Sequence, residues 1–169
     1  MRSSMRWLLL GVLLLPTFAA AQENGPYVGR WRLNVAKSDY SQAPDAKPKS
    51  AVVTITADSK AALKWHGTLS DSNGKLMTFI FSGAEDGKPH PVTGDNPWKS
   101  AAYTEGAENV LSAEITMKDG SKMKQEITIS GDTLTAKNSG AENSTEVWER
   151  VKSKPAGGMS GKGKTAPPQ

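Results

Sequence analysis

The two histidines of the chain are the residues best suited to metal or acid–base chemistry. His90 lies close to Glu85 and Asp86, and an imidazole with two carboxylates can bind a divalent metal ion. These three residues share one short polar segment, however, and no further nitrogen ligand lies near them, so we expect no metal site. His66 falls on the polar face of an alternating run, which predicts a solvated side chain rather than a ligand.

Covalent and cofactor chemistry is not indicated either. The chain has no cysteine, which removes thiol catalysis, thiolate metal sites and thiol redox chemistry. Its serines lie outside any G-x-S-x-G motif. A glycosidase needs two carboxylates across a groove, one of them in an apolar setting, and the sequence does not single out such a pair. We therefore predict no catalytic residue and no cofactor, and we expect that the protein is not an enzyme.

Large apolar side chains that alternate with polar ones are the remaining candidates for a functional site. A β-strand points every second side chain to the same face, so these residues are expected to share the inside of a sheet. They would either line a cavity for a small apolar ligand or fill the interior completely, and the sequence leaves both open. The predicted cavity-lining residues are Trp65, Leu69, Met77, Phe79, Phe81, Leu111 and Ile115.

The elements that position these residues are short strands. Alternating runs bounded by Gly, Asn, Asp and Pro recur throughout the body of the chain, and no window keeps an apolar pattern at helical spacing. A proline-containing loop, 35–49, separates the first two runs, and its composition does not predict a helix. The ten predicted strands cover residues 29–34, 50–57, 62–70, 75–82, 88–92, 99–104, 110–117, 122–130, 133–138 and 145–151.

Glycine-containing turns predict which strand residues lie opposite one another. A three-residue loop ending at Gly74 pairs Leu69 with Met77, whereas a two-residue loop would put the two apolar sets on opposite faces. The last position of that loop needs a positive φ, which glycine adopts freely. The same argument pairs Ile115 with Met123 across loop 118–120, and Ile129 with Leu134 across loop 131–132.

Antiparallel strands with one apolar face each predict a single all-β domain over residues 28–151. A closed barrel and a tight sandwich both fit this pattern. Closure is favoured because a closed barrel has no exposed edge strand. We therefore predict an antiparallel barrel of about ten strands with few or no helices.

The first 21 residues have the three parts of a secretory signal peptide. Arg2 and Arg6 precede an apolar run, 7–18, and three alanines follow it. The run is shorter than the roughly 20 residues that span a bilayer, which argues against the alternative of a retained membrane anchor. We place cleavage after Ala21 and expect a secreted or periplasmic protein with a short lead, 22–27, and no integral membrane segment.

The last segment, 152–169, has a different composition from the rest. It holds four lysines, four glycines and three prolines, and such a segment buries too little apolar surface to offset the entropy of ordering it. It is predicted to be a disordered tail, either without a partner or in weak electrostatic contact with an anionic surface. Without tail and signal peptide the chain has 15 basic and 17 acidic residues, which argues against a nucleic-acid partner.

Three segments carry a resemblance to known barrels. The opening Gly29-Arg30-Trp31 resembles the G-x-W motif of lipocalins and fatty-acid-binding proteins, the calycin group, and Arg150 stands where those families place a basic residue against that tryptophan. More closely, residues 29–38, 86–94 and 147–150 are similar to a set of small exported bacterial proteins described as lipocalin-like. The resemblance implies a calycin-type barrel closed by Trp31 and Arg150. It supplies no function, and heme is not expected because the longer glycine-rich opening of heme-binding barrels is missing.

The sequence therefore predicts an exported binding protein that holds a small apolar molecule in a β-barrel. The alternative is a packed barrel that acts by protein–protein interaction in the envelope, as an inhibitor or assembly factor. That alternative would use the loops 35–49 and 84–98, with Trp98 at the end of the second loop. The sequence indicates no particular protein partner.

Overall fold

The computed structural model describes residues 25–152. The predicted signal peptide, 1–21, the first three residues of the lead and all of the tail except Lys152 lie outside the described residues. Besides strands, the described chain has one short 3₁₀ turn, Pro44–Ala46. It contains no helix with the length and apolarity that crossing a lipid bilayer requires.

Ten antiparallel strands form the sheet. Neighbours along the chain pair with one another, and the first strand also pairs with the last, so the sheet closes into a barrel. The predicted all-β antiparallel barrel is thus confirmed. The strands are β1 Gly29–Leu33, β2 Ser50–Ser59, β3 Ala62–Ser70, β4 Leu76–Gly83, β5 His90–Thr93, β6 Trp98–Glu105, β7 Val110–Met117, β8 Lys122–Ser130, β9 Thr133–Gly140 and β10 Ser144–Arg150.

Strand β5 differs most visibly from its predicted extent. It was expected over 88–92 and is found at His90–Thr93. The Asp86 carboxylate accepts a hydrogen bond from the backbone N–H of Lys88 at 3.0 Å. This bond holds the preceding residues in a turn, so the ladder begins only at His90.

The turns give the predicted registers. Leu69 lies opposite Met77, and the loop between them has Gly74 at φ +89°. Burial of both apolar sets on one face therefore decided the loop length, as the sequence argument required. The other two predicted pairs are also present, Ile115 with Met123 and Ile129 with Leu134.

One end of the barrel is closed around Trp31, which has no exposed surface. Its indole Nε1 donates to the Tyr27 carbonyl at 2.9 Å. Arg150 covers the ring, with Cζ 4.1 Å from the ring centroid. The Arg150 guanidinium also donates to the carbonyls of Val28 at 2.7 Å and Pro26 at 3.0 Å. Arg150, at the end of β10, thereby joins the last strand to the segment that leads into β1.

Candidate functional site

The interior of the barrel contains a cavity of about 410 Å³. Its walls come from eight of the ten strands, and most of the lining side chains are apolar or aromatic. The sequence left open whether the interior of the barrel is filled or hollow, and the structure has a cavity there. The apolar lining includes Val53, Ile55, Leu63, Trp65, Leu69, Met77, Phe79, Trp98, Leu111, Met123, Ile127, Leu134 and Trp148.

The cavity reaches the surface at the end opposite Trp31. Exposed residues of two loops at this end line it, namely Asp45 and Ala46 between β1 and β2, and Pro97 between β5 and β6. Asp71, in the turn after β3, lies beside them on the lining. A small molecule could therefore enter between these loops without separating any strands.

Three aromatic side chains form one wall of the cavity, which we call the aromatic wall: Trp65, Phe79 and Trp98. Trp98 meets Trp65 edge to face at 6.1 Å between ring centroids, and it meets Phe79 in the same way at 5.2 Å. Edge-to-face contacts of this kind stabilise ring orientations beyond simple burial. The wall therefore offers a fixed apolar surface to a ligand.

Trp98 faces the cavity because of a β-bulge. Ala101 and Tyr103 of the same strand point inward and are buried, so strict alternation would point Trp98 outward. The pairing of β6 with β7 shifts register between Trp98 and Ser100, and a bulge of one residue reverses the side on which the preceding side chain lies. Trp98, which the interaction alternative placed at the end of loop 84–98, is therefore the first residue of β6 and lies on the cavity wall.

The seven predicted lining residues do not all reach the cavity. Phe81 and Ile115 are fully buried and lie outside the lining. Phe81 stacks on Trp65 at 5.7 Å and meets Tyr103 at 4.9 Å, so neighbouring rings cover it on the inner side. The other five line the cavity, namely Trp65, Leu69, Met77, Phe79 and Leu111.

Two carboxylates inside the cavity were not predicted; we call Glu142 and Glu146 the acidic pair. Oε1 of Glu146 accepts a hydrogen bond from the Tyr40 hydroxyl at 3.0 Å, and Oε2 accepts one from Trp148 Nε1 at 3.2 Å. Glu142 accepts a bond from the Ser144 hydroxyl at 2.9 Å. Both carboxylates lie on the cavity wall, so a ligand would meet them directly.

Burial changes the protonation of the acidic pair. Loss of hydration raises the pKa of Glu146 to about 7, and the neighbouring charge of Glu142 adds to this rise. The hydrogen bonds from Tyr40 and Trp148 act in the opposite direction. Burial also raises the pKa of Glu142. Near neutral pH, Glu146 is therefore poised between its charged and neutral forms.

A signal for Glu146 was present in the sequence. Glu146, Trp148 and Arg150 are spaced two residues apart on β10, so they share one face. Because Arg150 packs on Trp31 inside the closed end, the same face of β10 carries Glu146 inward. Sequence reasoning missed it by treating the carboxylates as surface residues. Glu142 precedes the strand in a turn, where no periodicity applies.

A second pair of carboxyl groups lies at the closed end, outside the cavity lining. Burial, followed by the charge of Asp58, raises the pKa of Glu85 to about 7. Asp58 accepts a hydrogen bond from the Tyr27 backbone N–H at 3.0 Å. Glu85 Oε1 is buried and has no hydrogen-bond partner among residues 25–152. Glu85 therefore takes up a proton more readily than an exposed carboxyl group does.

The sequence segment considered for a metal ion is divided in the structure. His90 Nε2 lies 3.1 Å from Asp86 Oδ1, whereas Glu85 lies with Asp58 instead. Within the described residues, no group of three His, Asp or Glu side chains could hold a metal ion. His66 is exposed on the outer face of β3.

No family model matches this sequence, and a search of curated proteins finds no match. Solved structures do match. Fatty-acid-binding protein 1 of Echinococcus granulosus aligns with a TM-score of 0.51 and 14% identity, over 75% of this chain and 98% of that one. A Schistosoma mansoni fatty acid binding protein in complex with arachidonic acid aligns with 0.50 and 14%, over 75% and 96%.

A third solved structure gives the same result. The REP1-NXSQ fatty acid transporter aligns with a TM-score of 0.52 and 13% identity, over 75% of this chain and 97% of that one. The alignments cover nearly the whole of each of these barrels, so the similarity includes the complete closed sheet. At such low identity the likeness concerns the fold alone. The chain folds as a closed barrel of the fatty-acid-binding-protein type.

Proposed function

We propose that this protein is an exported, non-enzymatic binding protein that holds a small apolar molecule inside its barrel. The observation that carries the proposal is the cavity of about 410 Å³ with its aromatic wall. Ligand sites in proteins commonly have about 300–1,000 Å³ and a mostly apolar lining with a few polar groups. The cavity has both properties, and it opens at one end of the barrel.

The structural neighbours support a carrier. One of them is described in complex with arachidonic acid, and another as a fatty acid transporter. A closed barrel of this size encloses a small molecule without needing a second domain. Sequence identity to these neighbours is too low to show a shared activity. That the present chain also binds a small apolar molecule is therefore our proposal.

Export is the second part of the proposal. It is supported by the positive, apolar and small-residue segments of the predicted signal peptide, 1–21. In this proposal the mature protein begins after Ala21, acts in the periplasm or outside the cell, and carries the lysine-rich tail, 152–169. Edman sequencing or intact mass of the protein from its own host tests the cleavage site.

The binding proposal is tested with native mass spectrometry and a neutral fluorescent dye. Protein purified gently from its own host is expected to carry an extra mass of a few hundred daltons that mild activation removes. Nile red, which is apolar and uncharged, is expected to bind the ligand-free protein with increased fluorescence. A protein that neither carries such a mass nor binds the dye would contradict the proposal.

A matched pair of variants locates the dye. Leu69→Trp introduces a larger side chain on the cavity lining, whereas Leu76→Trp makes the same change on the outer face of β4, where Leu76 is 60% exposed. We expect Leu69→Trp to lower dye affinity at least tenfold and Leu76→Trp to leave it unchanged. Equal effects would mean that the dye binds outside the barrel.

Protein–protein interaction remains a second candidate because of one observation. Leu76 and Ile80 are exposed on the outer face of β4, at 60% and 52%, and exposed apolar groups of this kind mark interaction surfaces when they are contiguous. Capture of one defined envelope protein by the wild type, with loss of capture in a Leu76→Ser, Ile80→Ser variant, would support this candidate. Unchanged capture would exclude this face.

A further inference from the structure

The charged groups on the cavity wall are all acidic. Four carboxylates line it, the acidic pair inside and Asp45 and Asp71 toward the mouth, and no Lys, Arg or His of residues 25–152 lines it. Charge interactions are stronger in a poorly hydrated protein interior than in water. The sign of the charge on a ligand's polar end therefore decides how well this cavity can hold it.

Glu146 is held in a fixed position at the wall. Tyr40, from the loop between β1 and β2, donates to one of its oxygens, and Trp148 donates to the other. From β9, the residue opposite Glu146 is Ala136, which carries no charge. The ionisable group that acts on it through charge is Glu142. Within the described residues, Glu146 therefore has hydrogen-bond donors around it but no counter-charge.

The hydrogen bonds near Glu142 run toward the carboxylate. Gln125 donates through Nε2 to Asn138 Oδ1 at 2.9 Å, and Asn138 donates through Nδ2 to the Ser144 hydroxyl at 3.0 Å. Ser144 in turn donates to Glu142 at 2.9 Å. This chain of hydrogen bonds ends on an acceptor, the Glu142 carboxylate. The polar end of the cavity therefore favours a ligand group that donates hydrogen bonds.

We propose that the ligand is an apolar molecule with a protonated amine, whose cationic group is bound by Glu142 and Glu146 while its apolar part contacts the aromatic wall. The inference rests on the function proposed above and names the class of ligand. An ammonium group supplies both the missing counter-charge and three hydrogen-bond donors. A carboxylate ligand would instead add a negative charge to a wall that holds four carboxylates and no cation among the described residues.

The raised pKa of Glu146 agrees with this assignment. An isolated carboxylate in an apolar interior takes up a proton because its charge is poorly solvated. A bound ammonium group removes that cause, so it favours the ionised carboxylate. Binding of such a ligand is therefore expected to shift the acidic pair toward its ionised form.

The test compares ligands that differ only in the polar end. Dodecylammonium, dodecanol and dodecanoate compete with Nile red at pH 7.5, each below its micelle-forming concentration, on the full-length purified protein. We expect dodecylammonium to displace the dye at a concentration at least tenfold lower than dodecanoate, with dodecanol between them. Dodecanoate binding as well as or better than dodecylammonium would overturn the inference.

Variants separate the acidic pair from a general effect of charge. Glu142→Gln and Glu146→Gln, alone and together, keep the shape and an acceptor oxygen, and they are expected to reduce the preference for dodecylammonium over dodecanol, with the Nile red affinity of each variant measured first as its own reference. Glu108→Gln, an exposed change between β6 and β7, is the control and is expected to keep the preference. If the double variant does not fold, the two single variants decide the question.

The two proposals fail in different ways. A wild-type protein that does not bind Nile red contradicts the proposed cavity function as well as this inference. A wild-type protein that binds Nile red but shows no preference for the amine contradicts only the inference. A preference that persists in both single variants overturns the role of the acidic pair.

Discussion

The Arg150 guanidinium occupies the space that a side chain at Gly29 would take. A Cβ built on Gly29 would collide with Nη1 of Arg150, and Gly29 has a φ of +147°, a conformation that other residues rarely adopt. The glycine of the G-x-W opening is therefore required by its distance to the last strand as well as by its backbone. It lets Arg150 pass over the backbone of β1 to reach Trp31.

Replacement of Gly29 by alanine should therefore destabilise the protein clearly. We expect Gly29→Ala to lower the free energy of unfolding by about 2–4 kcal/mol, since it combines backbone strain with displacement of Arg150. Gly120→Ala is the matched control: Gly120 also has a positive φ, +90°, but open space surrounds it. Urea unfolding measures both variants. If the free energy of unfolding falls equally in the two, the contact between Gly29 and Arg150 does not contribute to the loss.

Trp31 is expected to be the single most important side chain for stability. Trp31→Ala removes a fully buried ring together with its hydrogen bond and its contact with Arg150, which should cost about 3–5 kcal/mol. Trp98→Ala is the comparison, because Trp98 is only half-buried beside the cavity and should cost less. A nearly neutral Trp31→Ala in urea unfolding would refute the role given to the closed end.

The registers of the barrel were predictable because they follow from local constraints. Gly74 and Gly120 fix loop lengths, and one apolar face per strand excludes the registers that would bury polar residues. The side of the sheet on which Trp98 lies could not be predicted from alternation, since a β-bulge interrupts the alternating pattern between Trp98 and Ser100. Whether the inward side chains fill the barrel or leave a cavity depends on strand positions in three dimensions, and the alternating pattern is the same in both cases.

The acidic pair shows a different limit of sequence reasoning. Charged residues are usually exposed, and that expectation hid Glu146 although its spacing from Trp148 places both on one face. Its burial is compensated in part by the Tyr40 hydroxyl, which lies 106 residues away in the chain. Only the folded barrel brings these groups together, so the chemistry of the site was less predictable than the fold.

Stability should fall as the pH rises from about 5 to about 7. Glu146 has a pKa of about 7 in the folded protein against 4.5 for an unperturbed glutamate, so between these values the folded state binds more protons than the unfolded state. The free energy of unfolding then decreases with rising pH, by about 2–3 kcal/mol for one such group. The decrease ends about one pH unit above the folded-state pKa, where Glu146 is ionised in both states.

Thermal unfolding at pH 5 and pH 7.5 measures this dependence. Glu85, whose folded-state pKa is also raised to about 7, contributes in the same direction, so Glu146→Gln and Glu85→Gln should each reduce the difference between the two pH values. The exposed control Glu108→Gln should not. A wild type that is more stable at pH 7.5 than at pH 5 would contradict the protonation states described here.

Affinity for an amine should show the opposite pH dependence from stability. Below pH 7 Glu146 is mostly neutral in the free protein, so a bound ammonium group must displace its proton; above pH 7 the carboxylate is already charged. Ammonium groups with a pKa of about 10 stay protonated throughout this range. Linkage therefore predicts that dodecylammonium binds about tenfold more tightly at pH 8 than at pH 6.

The control ligand and the variants make this prediction specific. Dodecanol carries no charge, so its affinity should change little between pH 6 and pH 8, and any change it shows measures the effect of pH on the cavity itself. Glu146→Gln should flatten the dependence for dodecylammonium, because the group that exchanges the proton is gone. Parallel pH profiles for the amine and the alcohol in competition with Nile red would show that Glu146 does not contact the cationic group.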